Sequence, residues 1–314
     1  FKSFADSKGN LKYRERIRQM IVSGLKSLVI DFDDLLLYDE GLAKGVIERP
    51  REYVEYASIA LYEAVKSEDR AYAEKIGRFH ARFKGAGNLI SIRKVRAEHI
   101  NKMITIEGVV VSASDIKQRL VEATFICKNA ECGEMIKIPQ DSKTFSYPNR
   151  CPRCGKRGVL EFSPENSTFM DVQTLVVQER PEDVPPDESP RSIEVLVTED
   201  LVDKVRPSDR VLISGILSVR QECSPKLGKL TTFTTYLEAN HVEVSTKGVK
   251  EAETLSPTIA IQHLKRIVEI VEELQKELKG PVSYELIKER AIREGISETF
   301  LEKALRNLLC EGVL

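Results

Sequence analysis

The chain has 314 residues, with 48 lysines and arginines against 49 carboxylates, a formal net charge of -1 and 41% hydrophobic residues. That length predicts two to four compact units, each with its own core, and the near-zero charge excludes a uniformly basic nucleic-acid binder, so any such surface has to be a local patch. No apolar run approaches the roughly 18 residues that a bilayer crossing needs, and no signal peptide opens the chain, so no membrane partner is expected, while the use of its six cysteines points to a reducing cytoplasm or nucleoid.

Residues 10–85 read mainly as helix. Tyr13, Ile17, Met20, Ile21 and Leu25 form an apolar stripe at three- and four-residue spacing. Asp39 suits the cap of a helix through Ile47, and Pro50 suits the first turn of the next, which carries Tyr53 to Val65. The run Ser27-Leu-Val-Ile-Asp-Phe between them looks extended.

The texture changes at Leu89. Met103 to Val111, Val159 to Phe162, Thr168 to Gln178, Ser192 to Thr198, Arg210 to Val219 and Thr231 to Val244 are rich in β-branched residues and predict strands. Five or six such strands with long loops suggest a small Greek-key barrel, of which the OB-fold is the commonest. Within them Cys127, Cys132, Cys151 and Cys154 follow the order C-x4-C-x18-C-x2-C. Each pair is close enough for one knuckle of a tetrahedral site, and Gly133 and Gly155 follow where the backbone must turn its amides toward the sulfurs. Four thiolates favour Zn²⁺ in a closed, structural site, ahead of two disulfides or four unrelated core cysteines. The other cysteines are Cys223 and Cys310, and Cys310 lies in an apolar helical pattern.

Cations gather in a few places. Ser224-Pro-Lys-Leu-Gly-Lys-Leu predicts a hairpin with Lys226 and Lys229 at its tip. Lys117 and Arg119 share one face of an extended segment, and Arg180 and Arg191 flank a proline-rich loop. A barrel face with such cations suits single-stranded nucleic acid. The chain lacks tryptophan and the proposed face shows few stacking residues, so backbone-tracking, sequence-tolerant binding is expected. No G-x-x-x-x-G-K-[ST], nucleophile elbow or H-E-x-x-H occurs, and the four histidines are scattered, so no nucleotide hydrolysis is expected of these residues.

Beyond the linker-like 246–256, Ile259 to Leu278 reads as a helix stopped by Gly280-Pro281. Helices capped by Ser283 and Ser297 follow, in the outline of a winged helix-turn-helix.

His99-Ile-Asn-Lys-Met-Ile-Thr-Ile-Glu-Gly-Val-Val, the cysteine knuckles, Val177-Gln-Glu-Arg-Pro-Glu-Asp-Val-Pro with Ser189-Pro-Arg, and Asp200-Leu-Val-Asp with Arg206-Pro-Ser-Asp-Arg-Val together resemble an archaeal minichromosome maintenance (MCM) replicative helicase, over roughly residues 1–247. The resemblance implies a multidomain α+β chain. A helical bundle takes residues 1–88, and an OB-fold takes 89–245 with a zinc ribbon inserted at about 120–165. A linker at 246–256 and a winged helix at 257–314 follow. It further implies hexamers or double hexamers, DNA replication, a nucleoid location, and single- and double-stranded DNA and other replication proteins as partners. Lys226 and Lys229 match the family's positive channel hairpin; Lys117, Arg119, Arg180 and Arg191 fall near its single-strand grip. The family places an AAA+ ATPase where this chain has the linker, so ATP and Mg²⁺ are expected only if a parent protein carries that motor. A zinc-ribbon/winged-helix transcription regulator, and the parts of a complete ATP-dependent helicase, are the alternative readings.

Overall fold

The computed structural model describes residues 11–140, 145–185, 187–224 and 228–245, and beyond them 263, 266–271, 273–274, 283–294, 296, 301 and 304–305; side chains from 223 to 229 fall outside it. The first unit is built from α1 (Lys12–Val22), β1 (Ser27–Asp31), α2 (Phe32–Tyr38), α3 (Glu40–Glu48), α4 (Pro50–Glu68), α5 (Arg70–Ile76) and β2 (His80–Lys84). The stripe on α1 buries Tyr13, Ile17 and Met20, while Leu25 lies past the helix end and is exposed. Asp39 caps α3 as its sequence implies, its Oδ1 accepting from the Leu42 amide at 3.0 Å, and Pro50 opens α4. β1 and β2 pair in parallel, Leu28 opposite Ala81. β2 was not expected from the sequence, because its partner lies some fifty residues earlier in the chain.

The second unit is a closed barrel. β4 (Met103–Ala113), β7 (Leu160–Gln178), β8 (Ser192–Thr198), β9 (Arg210–Ser224) and β10 (Gly228–Val244) pair in the cyclic order β4-β9-β10-β8-β7-β4, with β10 and β8 parallel and the other pairs antiparallel. β3 (Asn88–Leu89) adds a short edge beside β4. Ile104, Ile106, Leu175, Val195, Ile213, Leu217 and Leu237 fill the interior. Where β4 meets β7, a Cβ on Gly108 would stand 2.5 Å from the Gln178 carbonyl oxygen, so only glycine lets the two backbones approach and close the barrel.

Between β4 and β7 the chain leaves the barrel as an arm. β5 (Lys117–Cys127) pairs with β6 (Met135–Pro139) and with the first half of β7, from Lys117 opposite Val172 to Cys127 opposite Leu160. The sequence predicted two strands over 159–178; a single strand of 19 residues stands there. The interruption at Ser163-Pro-Glu-Asn-Ser is a bulge held by side chains. Ser167 Oγ donates to the Ser163 carbonyl at 2.6 Å and accepts from the Thr124 amide at 2.9 Å, so the backbone groups that leave the ladder still find partners.

Bundle and barrel meet along β2 and β10. Asn240, at a bulge of β10, accepts from the Phe83 amide at 2.6 Å and donates to the Ala81 carbonyl at 3.1 Å, as a further strand would. Arg82, buried, pairs with Asp200, which also accepts from Ser27 Oγ at 2.8 Å. His80 meets Glu199 at 3.1 Å and Lys84 meets Glu243 at 2.9 Å. Arg82 with Asp200 combines charge and burial, which makes loss of one partner far costlier there than at the exposed Lys84–Glu243 pair.

Toward the C-terminus, residues 266–271 and 273–274 are helical, and α6 (Tyr284–Arg293) follows, with Ser283 at its N-cap position but without a side-chain cap bond. Arg266 pairs with Glu294 at 2.7 Å and Arg290 with Glu273 at 3.3 Å, tying the two helices together. The expected linker 246–256, most of the expected third helix and the wing lie outside the described residues, as does Cys310.

Candidate metal centre and nucleic-acid interface

The arm brings the four cysteines together. Cys127 ends β5, Cys132 follows it in a turn, and Cys151 and Cys154 lie in the turn before β7. Their sulfurs lie within 4.8 Å of one another, with Cys127 to Cys154 and Cys132 to Cys151 each at 3.7 Å. A tetrahedron of sulfurs about 2.3 Å from Zn²⁺ has edges of about 3.8 Å, which the two 3.7 Å pairs match, so the donor set suits that ion. Gly133 and Gly155 take positive φ values of 57° and 68°, the left-handed conformation that the turns after each pair require. Amides of Asn129, Glu134 and Cys154 point at the sulfurs of Cys127, Cys132 and Cys151. As thiols the four sit in opposed environments: burial pushes Cys127 up to about 12, whereas the Cys154 amide pulls Cys151 down to about 7. A divalent cation would hold all four as thiolates and satisfy the set at once. Beneath it Ala123, Phe125 and Leu160 form a small separate core. A core this small contributes little stability alone, so the metal is expected to be the arm's main fastening.

The hairpin of β9 and β10 extends past the barrel. β9 pairs with β4 only as far as Ile216 opposite Met103, and β10 pairs with β8 only over Tyr236–Glu238, so among the described residues the outer rungs have no third strand. Lys226 lies outside the described residues, and Lys229 is placed by its backbone alone, opposite Cys223. Along the stalk, Glu222 accepts from Thr232 at 2.9 Å and Thr234 at 2.7 Å, and the Arg220 guanidinium lies 5.1 Å from the Tyr236 ring centroid. Phe233 is exposed there, an aromatic residue that no sequence motif marks. Its only signal was one ring in the run Thr231-Thr-Phe-Thr-Thr.

Lys117 and Arg119 are exposed on one face of β5, where arm and barrel join. Arg180 stands differently, its guanidinium divided between Glu107 at 2.7 Å and Asp183 at 2.7 Å. Arg191 is exposed, and its backbone closes the base of the proline-rich loop. Glu179 organises that base, a role the sequence did not reveal. It is 4% exposed and accepts from the Arg93 amide at 3.0 Å, Arg93 Nε and Nη2 at 2.9 Å each, and the Arg191 amide at 3.0 Å. Outside the clamp, Arg93 reaches Glu188 at 2.5 Å and Arg210 reaches Glu182 at 2.7 Å, which pins the loop at both ends.

Cys151→Ser should lose the metal and loosen residues 127–160, read as less than one zinc per chain and faster amide exchange confined to the arm; retained stoichiometric zinc would contradict the assignment. Arg93 hydrogen bonding, with the two amides, holds the Glu179 carboxyl down at about 2. Because the folded value lies below the unfolded one, this stabilisation is complete above about pH 4.5 and is lost as pH falls toward 2. Glu179→Gln should cost about 3 kcal/mol at pH 7 and flatten the pH dependence of urea unfolding across that window.

Residues 1–85 match the MCM N-terminal domain and residues 91–221 the MCM OB domain. The minichromosome maintenance protein MCM of Saccharolobus solfataricus (strain ATCC 35092 / DSM 1617 / JCM 11322 / P2) is 35% identical over 252 residues, 79% of this chain and 37% of that protein. DNA replication licensing factor mcm3 of Schizosaccharomyces pombe (strain 972 / ATCC 24843) is 33% identical over 245 residues, 73% of this chain and 27% of that protein. The chain thus spans about a third of the length of these relatives. The crystal structure of the N-terminal domain of an archaeal MCM, 24% identical, has the same fold, with a TM-score of 0.60 over 75% of this chain and 94% of that one. Helical bundle, closed barrel and cysteine-bearing arm are accordingly the N-terminal and OB domains of the minichromosome maintenance family.

Proposed function

We propose that this chain is the DNA-gripping, self-assembling and non-catalytic part of an MCM replicative helicase, acting in DNA replication at the nucleoid. The observation that carries this reading is the β9–β10 hairpin, which leaves the barrel unsupported and ends in the segment bearing Lys226 and Lys229. A free-standing two-stranded stalk suits insertion into a ring channel, where a lysine tip meets phosphates whatever the bases. Phe233, exposed on the stalk, offers a face on which a base can stack. Lys117 and Arg119 would extend the track across the barrel. In this reading Arg180 and Arg191 contribute chiefly by fixing the proline-rich loop, since the Arg180 guanidinium is already divided between two carboxylates.

The arm would carry structural Zn²⁺ on Cys127, Cys132, Cys151 and Cys154, and its distance from the barrel suits contacts between hexamers in a double ring. Single-stranded DNA is the principal ligand, with double-stranded DNA at the ring mouth. ATP hydrolysis is assigned to none of these residues; ATP and Mg²⁺ belong to an AAA+ motor wherever the parent protein supplies one. The C-terminal helices are read as a winged-helix module with a regulatory role.

Replacing Lys226 and Lys229 with alanine tests the grip. Each phosphate contact on a single strand contributes about −0.7 to the slope of log K against log salt, so the double variant should flatten that slope by about 1.4 and weaken all sequences alike. An unchanged slope would move the DNA site away from the hairpin.

A further inference from the structure

The helical bundle carries an apolar cavity of about 320 Å³ that takes no part in the DNA grip proposed above. Leu35 and Phe83 line it, and α4 supplies Tyr53, Tyr56 and Ala60. The α4 wall is fixed in advance. Tyr53 lies in a notch left by Gly45, where a Cβ would come within 2.2 Å of the ring. The Arg49 guanidinium lies 5.5 Å from the centroid of Tyr53, and the Tyr56 ring meets Tyr53 edge-on at 6.1 Å. A site already in shape spends little binding energy on ordering itself. Beside it Tyr56 and Ile59 stand 60% and 56% exposed, an apolar surface next to an apolar cavity.

We propose that this face docks a cationic segment of a partner protein, one large aromatic or apolar side chain entering the cavity between two lysines or arginines. Charge complementarity carries that choice. Along α4, Glu52, Tyr56, Ile59 and Glu63 recur at four-, three- and four-residue spacing, and all are exposed. They form one solvent-facing stripe with a carboxylate at each end. Glu55, also exposed, lies one turn before Ile59. Among the described residues Glu55 and Glu63 have no cationic partner, whereas the cations of α3 and α4 are engaged. Lys44 meets Glu40 at 2.5 Å, Arg51 meets Glu238 at 3.0 Å, and Lys66 lies 5.8 Å from the centroid of Tyr62. Arg49 covers Tyr53 and lies 3.7 Å from Glu52. The stripe is therefore apolar at its centre and negative at its ends. Glu52 and Glu63 stand about 16 Å apart along the helix, with the cavity-lining Tyr56 and Ala60 between them. An extended segment covers that distance in about five residues, which places a cation on either side of a central anchor. The anchor supplies affinity, the cations select the partner, and the same carboxylates repel acidic segments and nucleic acid.

The chain has no tryptophan, so a tryptophan in the probe reports binding alone. The probe is an end-blocked heptapeptide with tryptophan at its centre, lysine at its second and sixth positions and serine elsewhere. Titrated with the full chain, its emission should shift to the blue and saturate. The same peptide with glutamate in place of both lysines should bind many-fold more weakly. Glu52→Gln, Glu55→Gln and Glu63→Gln together should weaken binding of the lysine peptide several-fold and remove most of its salt dependence. Ala60→Gln, which puts a long polar side chain at the exposed edge of the cavity, should also weaken it several-fold but leave the salt dependence in place. These substitutions are all at exposed helical positions, and circular dichroism should be unchanged in both variants. An emission that stays at its solvent value would overturn the proposal, as would a blue shift that neither variant reduces. So would an affinity for the peptide that falls as the concentration of chain rises, which would give the face to a second copy instead.

Discussion

The main-chain hydrogen bonds between β4 and β7 close the barrel, and the placement of both candidate sites depends on that closure. β7 is shared: its second half completes the barrel against β4 and β8, while its first half forms the base of the arm with β5. One strand, bulged at Ser163–Ser167, therefore runs from the cysteine site into the barrel and sets the direction of the one relative to the other. The same closure leaves β9 and β10 longer than their barrel partners, so their excess length has to project as a hairpin. Arm and hairpin are consequences of one ladder, anchored where Gly108 lets two backbones approach.

Electrostatics then fixes what the ladder leaves movable. The proline-rich loop after β7 has few backbone hydrogen bonds of its own and is held by Glu179, Arg93 and the pairs around them. A buried carboxylate that accepts both from a guanidinium and from backbone amides is a rigid device, because no water can replace a lost partner. Bundle and barrel are joined by a different device, the Asn240 amide acting as a short strand beside Arg82 and Asp200. Each joint is polar and buried, so each specifies one arrangement and would be destabilised by a single unmatched substitution.

The sequence revealed elements whose information is local. Helix starts at Asp39 and Pro50 follow from capping chemistry, and the cysteine spacing with its trailing glycines encodes the knuckles directly. It was silent where partners are distant. β2 became a strand only through β1, and the break expected near Pro164 did not occur because Ser167 and Thr124 bridge it across strands. Glu179 looked like one more surface acid beside an arginine, and its burial depends on Arg93, 86 residues earlier. Arg180 carries a further distant partner: beside Asp183, close in the chain, it pairs with Glu107, 73 residues earlier, which its place beside the proline-rich loop does not reveal.

The central claim is that these domains assemble around a DNA strand while each holds one metal ion. Native mass spectrometry of the chain with an oligothymidylate reads assembly, metal content and DNA occupancy in a single spectrum. The account predicts complexes of several 35.5 kDa chains, each with one zinc ion, sharing one strand of DNA. Single chains that bind no DNA, whether or not they carry zinc, would contradict it.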